Sequence, residues 1–322
     1  MRQKRIVIVT PVFEDWKSFR ILVAEINKMA HLSKVNVRVL AVDDGSVSAP
    51  EYECLAAPNV TEVQIVRLAC NLGHQRAIAI GLVEAFKLDD IDGVIVMDCD
   101  GEDRVQDIPH VLGNAAGDSI TVVTRATRSE GLGFRIFYVI YKLLFKLMTG
   151  SSIDFGNFMY IPKAYLSPLV HFAGIWNHLA ASVQRSRLPI SRQACPRGQR
   201  YAGQSKMNFP SLVVHGLGAI SVYLDVVLAR LLIALLLLIG GLIATVGAVV
   251  VIRFATDLAI AGWATTAIGL LAVVLFQSFS LIFIGVFQVL NQRSVRTVIP
   301  AQEAGSYIQS QYAMRIEETG HD

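Results

Sequence analysis

Paired cysteines are missing from this sequence. The four present (Cys54, Cys70, Cys99, Cys195) share no C-x-x-C spacing, which argues against a zinc site or a disulfide framework and suits a reducing compartment. Charge is scarce as well. Only 17% of the 322 residues are Asp, Glu, Lys or Arg, against 53% apolar, and the mean hydropathy is +0.49, too apolar for an ordinary soluble chain. A net charge of +3 gives no reason to expect nucleic acid as a partner. Internal repeats and low-complexity linkers are absent too.

What is present in place of charge is two long apolar runs, 231–252 and 264–290, with no ionisable residue in either. In a helix the first run's 22 residues reach roughly 33 Å, enough to cross a hydrocarbon core of about 30 Å. Both read as transmembrane helices, and their lack of ionisable residues weakens a transporter reading. Residues 253–263 join them, ending in Trp263, an interfacial anchor. Arg230 precedes the first run, and Arg293 and Arg296 follow the second. That bias places residues 1–206 and the tail 291–322 in the cytoplasm of a multi-pass inner-membrane protein. The last 25 residues or so are polar and read as a loosely held tail. The opening MRQKRIVIVTPVF has a short, Pro-terminated apolar run that reads as a first strand rather than a signal peptide.

Residues 1–125 alternate between β-rich apolar runs (5–10, 35–42, 63–68, 93–97, 120–124) and helical patterns near 16–30, 74–87 and 105–116. Near-continuous apolar strands separated by helices indicate an α/β fold around a mostly parallel sheet covered on both faces. Such sheets bind ligands beyond the carboxyl ends of their strands. Here three of those ends are acidic: TPVFED, VDDGS and DCDGED. Residues 134–149 differ. Arg135, Lys142 and Lys146 lie at offsets of 0, 7 and 11 on an otherwise greasy segment, a basic stripe suited to a helix lying in a membrane surface. A second interfacial segment, 207–230, leads into the first span.

Aspartates at i and i+2 just past a strand can turn toward one hard cation, Mg²⁺ or Mn²⁺, completed by water and substrate phosphates. An EF-hand does not fit, because Asp103 stands where Gly is needed and Pro109 where a bidentate Glu is needed. An Asp-x-Asp-x-Thr phosphatase does not fit either, since position 102 is Glu.

TPVFED, VDDGS, NLGHQRAIAIG, DCDGED and RYAGQSKMNF, followed by two spans, together resemble the polyprenyl-phosphate glycosyltransferases of glycosyltransferase family 2. The resemblance covers essentially the whole chain. It implies a GT-A-type, Rossmann-like mixed sheet, followed by interfacial helices and the two transmembrane helices. Carried over residue by residue, it implies that Pro11, Phe13, Asp15, Val42, Asp44, Asp98 and Cys99 contact the nucleotide. Asp98, Asp100 and Glu102 are implied at the metal and diphosphate. Arg125, Arg128, Arg135 and Arg200 are implied to grip phosphates, and Asp154 to lie near the sugar and the attacking group. Ser205 and Lys206 are implied to shape their loop. The sequence departs from the pattern at Phe13-Glu14-Asp15, at Glu102 where many members carry Gln, and at Val139 where a hydroxyl is expected.

The implied reaction is inverting transfer of a sugar from a nucleotide-diphosphate sugar, with UDP favoured, to undecaprenyl phosphate. Asp154, Asp100, Arg128 and Arg135 are then the implied catalytic residues. A homo-oligomer stays open. Rival readings are a processive polysaccharide synthase and a non-catalytic membrane assembly subunit. The first lacks its Gln-x-x-Arg-Trp motif, since Leu188 follows Gln184-Arg185-Ser186-Arg187. The retained carboxylates disfavour the second. His74, Trp176, Asn177 and His178 are candidates for phosphate or sugar contact beside plain packing roles.

Overall fold

In the computed structural model, which describes residues 3–50, 54–114, 119–125, 132–203, 209–256, 260 and 262–317, each of the five apolar runs is a strand. The chain forms β1 (Arg5–Val12), α1 (Trp16–Ser33), β2 (Asn36–Asp43), β3 (Cys54–Leu55), β4 (Val60–Leu68), α2 (His74–Phe86), β5 (Gly93–Val96), α3 (Ile108–Asn114), β6 (Ile120–Arg125) and α4 (Leu132–Thr149). It continues with β7 (Phe155–Pro162), α5 (Lys163–Val170), α6 (Leu179–Ser186), β8 (Ile190–Cys195), α7 (Phe209–Ser221), α8 (Leu224–Ala255) and α9 (Trp263–Ser294). It ends with α10 (Pro300–Glu303), β9 (Ile308–Ala313) and β10 (Arg315–Ile316).

The main sheet has eight strands in the order β8-β6-β7-β5-β1-β2-β4-β9. β1 pairs in parallel with β2 and β5, β2 with β4, and β6 with β8, while β7 runs antiparallel between β5 and β6. Alternation along β1 shows why its run is apolar throughout. Ile6 and Ile8 join a core with Phe19, Leu22 and Ile26 of α1, whereas Val7 and Val9 join the opposite core with Ile78 and Leu82 of α2. Both faces are buried, as a parallel strand requires. Each such aliphatic side chain contributes about 1.5–3 kcal/mol of burial.

The chain divides into two compact units: Met1–Tyr141, Ser152–Val222 and Val298–Asp322 form one, and Lys142–Ser151 with Tyr223–Thr297 form the other. The first unit corrects the reading of the last 25 residues or so as a loosely held tail. β9 adds to the main sheet antiparallel to β4, from Leu68↔Ile308 to Gln64↔Ala313, and β10 pairs with β3. Ala304 is fully buried, and the Tyr307 ring lies 5.3 Å from that of Trp176. The segment looked loose because IQSQYA is an edge strand whose side chains face solvent, so it carries no apolar alternation.

In the second unit α8 and α9 pack along each other. Both are long and apolar enough to cross a membrane. Away from the seam between them, where Ile239 and Val249 are buried, their apolar side chains are exposed, among them Leu237, Val251, Phe276 and Phe283. A helix hydrophobic on every side and unburied suits lipid, not water. α8 starts seven residues before the expected span, at Leu224, with Asp225 in its first turn where the helix dipole favours an acid. Arg230 donates to the carbonyl of Leu147 at 2.8 Å, satisfying one of the last carbonyls of α4. Gly150 (φ +75°) leaves room for that guanidinium, since a Cβ there would fall 2.2 Å from Arg230 Nη2. On α4 the apolar Val139, Leu143 and Leu147 are exposed, as a membrane-surface helix would have them. The side chains of residues 132–138, Arg135 included, lie outside the described residues.

Candidate active site

The first two strand exits are laced together by Glu14. It sits in the left-handed region (φ +49°), and its Oε1 accepts from the amides of Val47 (2.5 Å) and Ser48 (3.3 Å). Its own amide donates to Ser46 Oγ (2.9 Å), and Trp16 Nε1 donates to the Ser48 carbonyl (2.8 Å). Asp44 clamps the next loop. Its two oxygens accept from the amides of Leu72 (2.7 Å) and Gly73 (3.0 Å), just before α2. Burial raises the Asp44 pKa to about 6 against the pull of those amides. Gly45 (φ +73°) permits the closure, because a Cβ there would sit 2.5 Å from the Cys70 carbonyl carbon. Of the expected nucleotide contacts, Phe13 is exposed, Pro11 and Asp15 are half-buried, and Val42 is fully buried behind them.

The third exit carries the acidic turn. Asp100 Oδ1 accepts from the Glu102 amide (2.9 Å), and Asp103 Oδ2 from the Asp98 amide (3.0 Å). Three arginines surround these carboxylates. Arg200 Nη1 meets Asp100 Oδ2 at 2.7 Å, while its Nη2 lies 3.9 Å from Asp15. Arg125 Nη2 meets Asp103 Oδ1 at 3.1 Å and its Nη1 lies 3.6 Å from Glu102 Oε2. Arg197 Nη2 meets the same Glu102 oxygen at 2.6 Å. Asp98 has no arginine or lysine within salt-bridge distance among the described residues. Burial, then the charges of Asp103 and Asp100, push its pKa up to about 8. Asp100 and Asp103 are also raised, in each case chiefly by burial. Burial pushes the Cys99 thiol up too, so it stays protonated.

The structure therefore brings Asp15, Asp98, Asp100, Glu102, Arg125 and Arg200 to one place. Asp154 stands at the start of β7, at the same sheet edge, and pairs with Arg192 Nε at 3.2 Å, both side chains about half exposed. Arg128, Ser205 and Lys206 lie outside the described residues. Arg197 and Glu14 did not stand out in the sequence. The available hint for Arg197 was its position three residues before Arg200 in PRGQR.

Among the described residues no three His, Cys, Asp or Glu side chains already converge as a metal cage. The donor set nevertheless suits a divalent cation. Five carboxylates (Asp15, Asp98, Asp100, Glu102, Asp103) stand with three guanidiniums among the described residues, and a cation that displaced the Asp98 proton would meet hard oxygen donors there. Mg²⁺ and Mn²⁺ take hard oxygen ligands, and Mg²⁺ usually needs one or two carboxylates, with phosphate and water completing the shell.

A separate polar cluster joins three elements. His178 caps α6 by accepting the Ala181 amide at Nδ1 (3.2 Å), which leaves its proton on Nε2, 3.1 Å from His215 Nε2 on α7. His74, the first residue of α2, has its ring 5.2 Å from that of His215. A second proton between His178 and His215 would set two N–H groups against each other. Burial, then neighbouring imidazoles, lowers His178 to about 3 and His215 to about 4. Both folded values lie below the unfolded 6.5, so below that pH the unfolded chain takes up protons that the folded chain refuses. This stability is fully present above about pH 6.5 and is lost as pH falls toward 4. Between pH 7 and 5 the histidine pair's own contribution should fall by about 3 kcal/mol, while the raised carboxylates Asp44 and Asp98 act in the opposite sense. Thermal unfolding in detergent at both pH values should show wild type losing about 3 kcal/mol more between pH 7 and 5 than a His178→Asn/His215→Gln double variant. A variant as acid-sensitive as wild type would contradict this assignment.

Residues 7–164 match the family described as Glycosyl transferase family 2. Among curated relatives, the undecaprenyl-phosphate 4-deoxy-4-formamido-L-arabinose transferase of Yersinia enterocolitica is 25% identical over 52% of this chain and 50% of its own length. The prophage bactoprenol glucosyl transferase homolog of Escherichia coli is 28% identical over 39% of this chain and 40% of its own length. The chain thus spans half or less of the length of these two relatives. Among solved structures, glucosyl-3-phosphoglycerate synthase from Mycobacterium tuberculosis is similar at TM-score 0.49 and 13% identity over 69% of this chain and 80% of that one, a distance at which nothing about ligands carries over. The strand exits, the acidic turn at the carboxyl edge of the sheet and the match over residues 7–164 agree: this chain carries a glycosyl transferase family 2 domain.

Proposed function

We propose that the chain moves a sugar from a nucleotide-diphosphate sugar, with UDP as the favoured nucleotide, to a polyprenyl phosphate, inverting the anomeric centre. The observation that carries this reading is the acidic turn, four carboxylates within six residues ringed by arginines, on a chain with two long apolar helices. The names of the relatives in Yersinia and Escherichia support a lipid-phosphate acceptor.

Asp98 and Asp100 are the residues suited to hold a divalent cation, which when bound supplies Lewis-acid neutralisation of the departing diphosphate. A phosphate acceptor is already anionic near neutral pH, so the chain's tasks are alignment and charge stabilisation. An oxygen of the acceptor phosphate attacks the anomeric carbon as the bond to the diphosphate breaks. Arg125, Arg197 and Arg200 can fork onto phosphate oxygens and offset repulsion between the two anions. Asp154, just before β7, then orients a sugar hydroxyl.

β9 supports a two-span topology. Strands from before and after α8 and α9 share one sheet, so a chain that crosses a bilayer twice must return to the side it left. The arginines flanking the apolar helices favour the cytoplasmic side. Incubating membranes that contain the chain with a panel of labelled nucleotide sugars, then extracting lipid, tests the reading. Label from one sugar should enter the lipid phase. Membranes that label no lipid with any donor would contradict it.

A further inference from the structure

Residues 196–203 lie folded onto the acidic turn. The Gly198 amide donates to the Glu102 carbonyl at 2.9 Å, and the Tyr201 amide to the Asp100 carbonyl at 2.8 Å. Two glycines make this closeness feasible. A Cβ at Gly198 would fall 2.1 Å from the Gly101 carbonyl oxygen, and one at Gly101 (φ +91°) 2.8 Å from the Gln199 carbonyl oxygen. Side chains add to the seam. Arg197 donates to Glu102 Oε2 from both Nη2 (2.6 Å) and Nε (3.1 Å).

Glu102 has more cationic company than a metal ligand needs. Arg197, Arg125 and Arg200 all stand within 4.0 Å of its carboxylate. Asp98 has none among the described residues. The carboxylate without a guanidinium partner among the described residues is therefore Asp98, and Glu102 is already compensated. The Arg197 side chain is about one-third exposed, so a ligand arriving from solvent can reach it. A diphosphate offers a guanidinium the same forked acceptor that a carboxylate does.

Resting on the donor site proposed above, we propose that Glu102 stores Arg197 and is not a metal ligand. Arg197 is the positioning residue that latches segment 196–203 to the acidic turn, and the donor diphosphate draws it off. Glu102 is then the competitor that a diphosphate must displace. Removing its charge frees Arg197 for phosphate and removes a repelling anion at once.

The test uses the full chain in detergent, with UDP titrated calorimetrically in excess EDTA and again with Mn²⁺. Glu102→Gln should tighten metal-free UDP binding by about tenfold, the scale of one charge-assisted hydrogen bond. Adding Arg197→Gln to Glu102→Gln should remove most of that gain, leaving only what the loss of a repelling anion supplies. In the ligand-free protein, Glu102→Gln should also speed tryptic cleavage after Arg197 and Arg200. The opposite pattern overturns the latch: metal-free UDP binding unchanged and Mn²⁺-dependent binding weakened in Glu102→Gln, as for a lost metal ligand. Unchanged cleavage overturns it as well. A wild-type chain that binds no UDP with or without Mn²⁺ would count against the donor reading, while the cleavage arm would still decide on the latch.

Discussion

Replacing Asp100 with asparagine should lower sugar transfer by about 10²–10³-fold, the usual scale for removing one group that stabilises developing charge. The substitution keeps the side chain's shape and an oxygen to accept the Glu102 amide, so the turn survives. It removes the charge that meets Arg200 at 2.7 Å and one of the two carboxylates suited to a cation. The loss should fall mainly on kcat, because the missing interaction is worth most as the diphosphate departs. Excess EDTA should bring wild type down by a similar factor and add little to the loss already present in Asp100→Asn, since groups acting through one ion are not additive. Asp15→Asn supplies the contrast. Asp15 reaches Arg200 only at 3.9 Å, and its loss should cost less than about tenfold, as for a partly exposed ion pair. Equal activity of Asp100→Asn and wild type would remove the acidic turn from the chemistry.

Ending the chain at Ile299 should destabilise the glycosyl transferase unit by on the order of 5 kcal/mol. Deletion removes β9 and its ladder with β4, together with the 2.9 Å bond from the Ala69 amide to the Tyr307 carbonyl and the 2.8 Å bond from the Met314 amide to the Val63 carbonyl. It also uncovers Trp176 and takes buried Ala304 and Met314 out of the two cores. A domain's total stability is about 5–15 kcal/mol, so the loss should lower the thermal transition by more than about 10 °C in detergent. A midpoint within about 2 °C of the full chain would mean that the segment contributes little to the fold.

These two expectations differ in how far the sequence announces them. β1, β2, β4, β5 and β6 were readable because central strands buried on both faces must be apolar throughout, and the acidic residues stood out by ending such runs. β8 (ISRQAC) and β9 (IQSQYA) border the sheet and face solvent along much of their length. Polar side chains cost nothing there, so no periodic signal remains. The Arg197–Glu102 pair spans 95 residues, and no local pattern reports a contact formed only when a loop folds back onto a turn. The histidine cluster was hidden for the same reason, its rings coming from α2, α6 and α7. Asp44 shows a subtler limit. Its place at a strand exit was legible, but the two amides that occupy it belong to a loop closed by tertiary packing.

The most direct test is the mass of the lipid product. Purified chain would be given undecaprenyl phosphate, a nucleotide sugar that labels lipid in membranes, and Mg²⁺ or Mn²⁺, and the lipid extract analysed by mass spectrometry. A single species heavier by one sugar residue, formed only when the divalent ion is present, is the expected result. A ladder of longer glycans, or the same product undiminished in excess EDTA, would contradict transfer of one sugar to a lipid phosphate at a cation-bearing acidic turn.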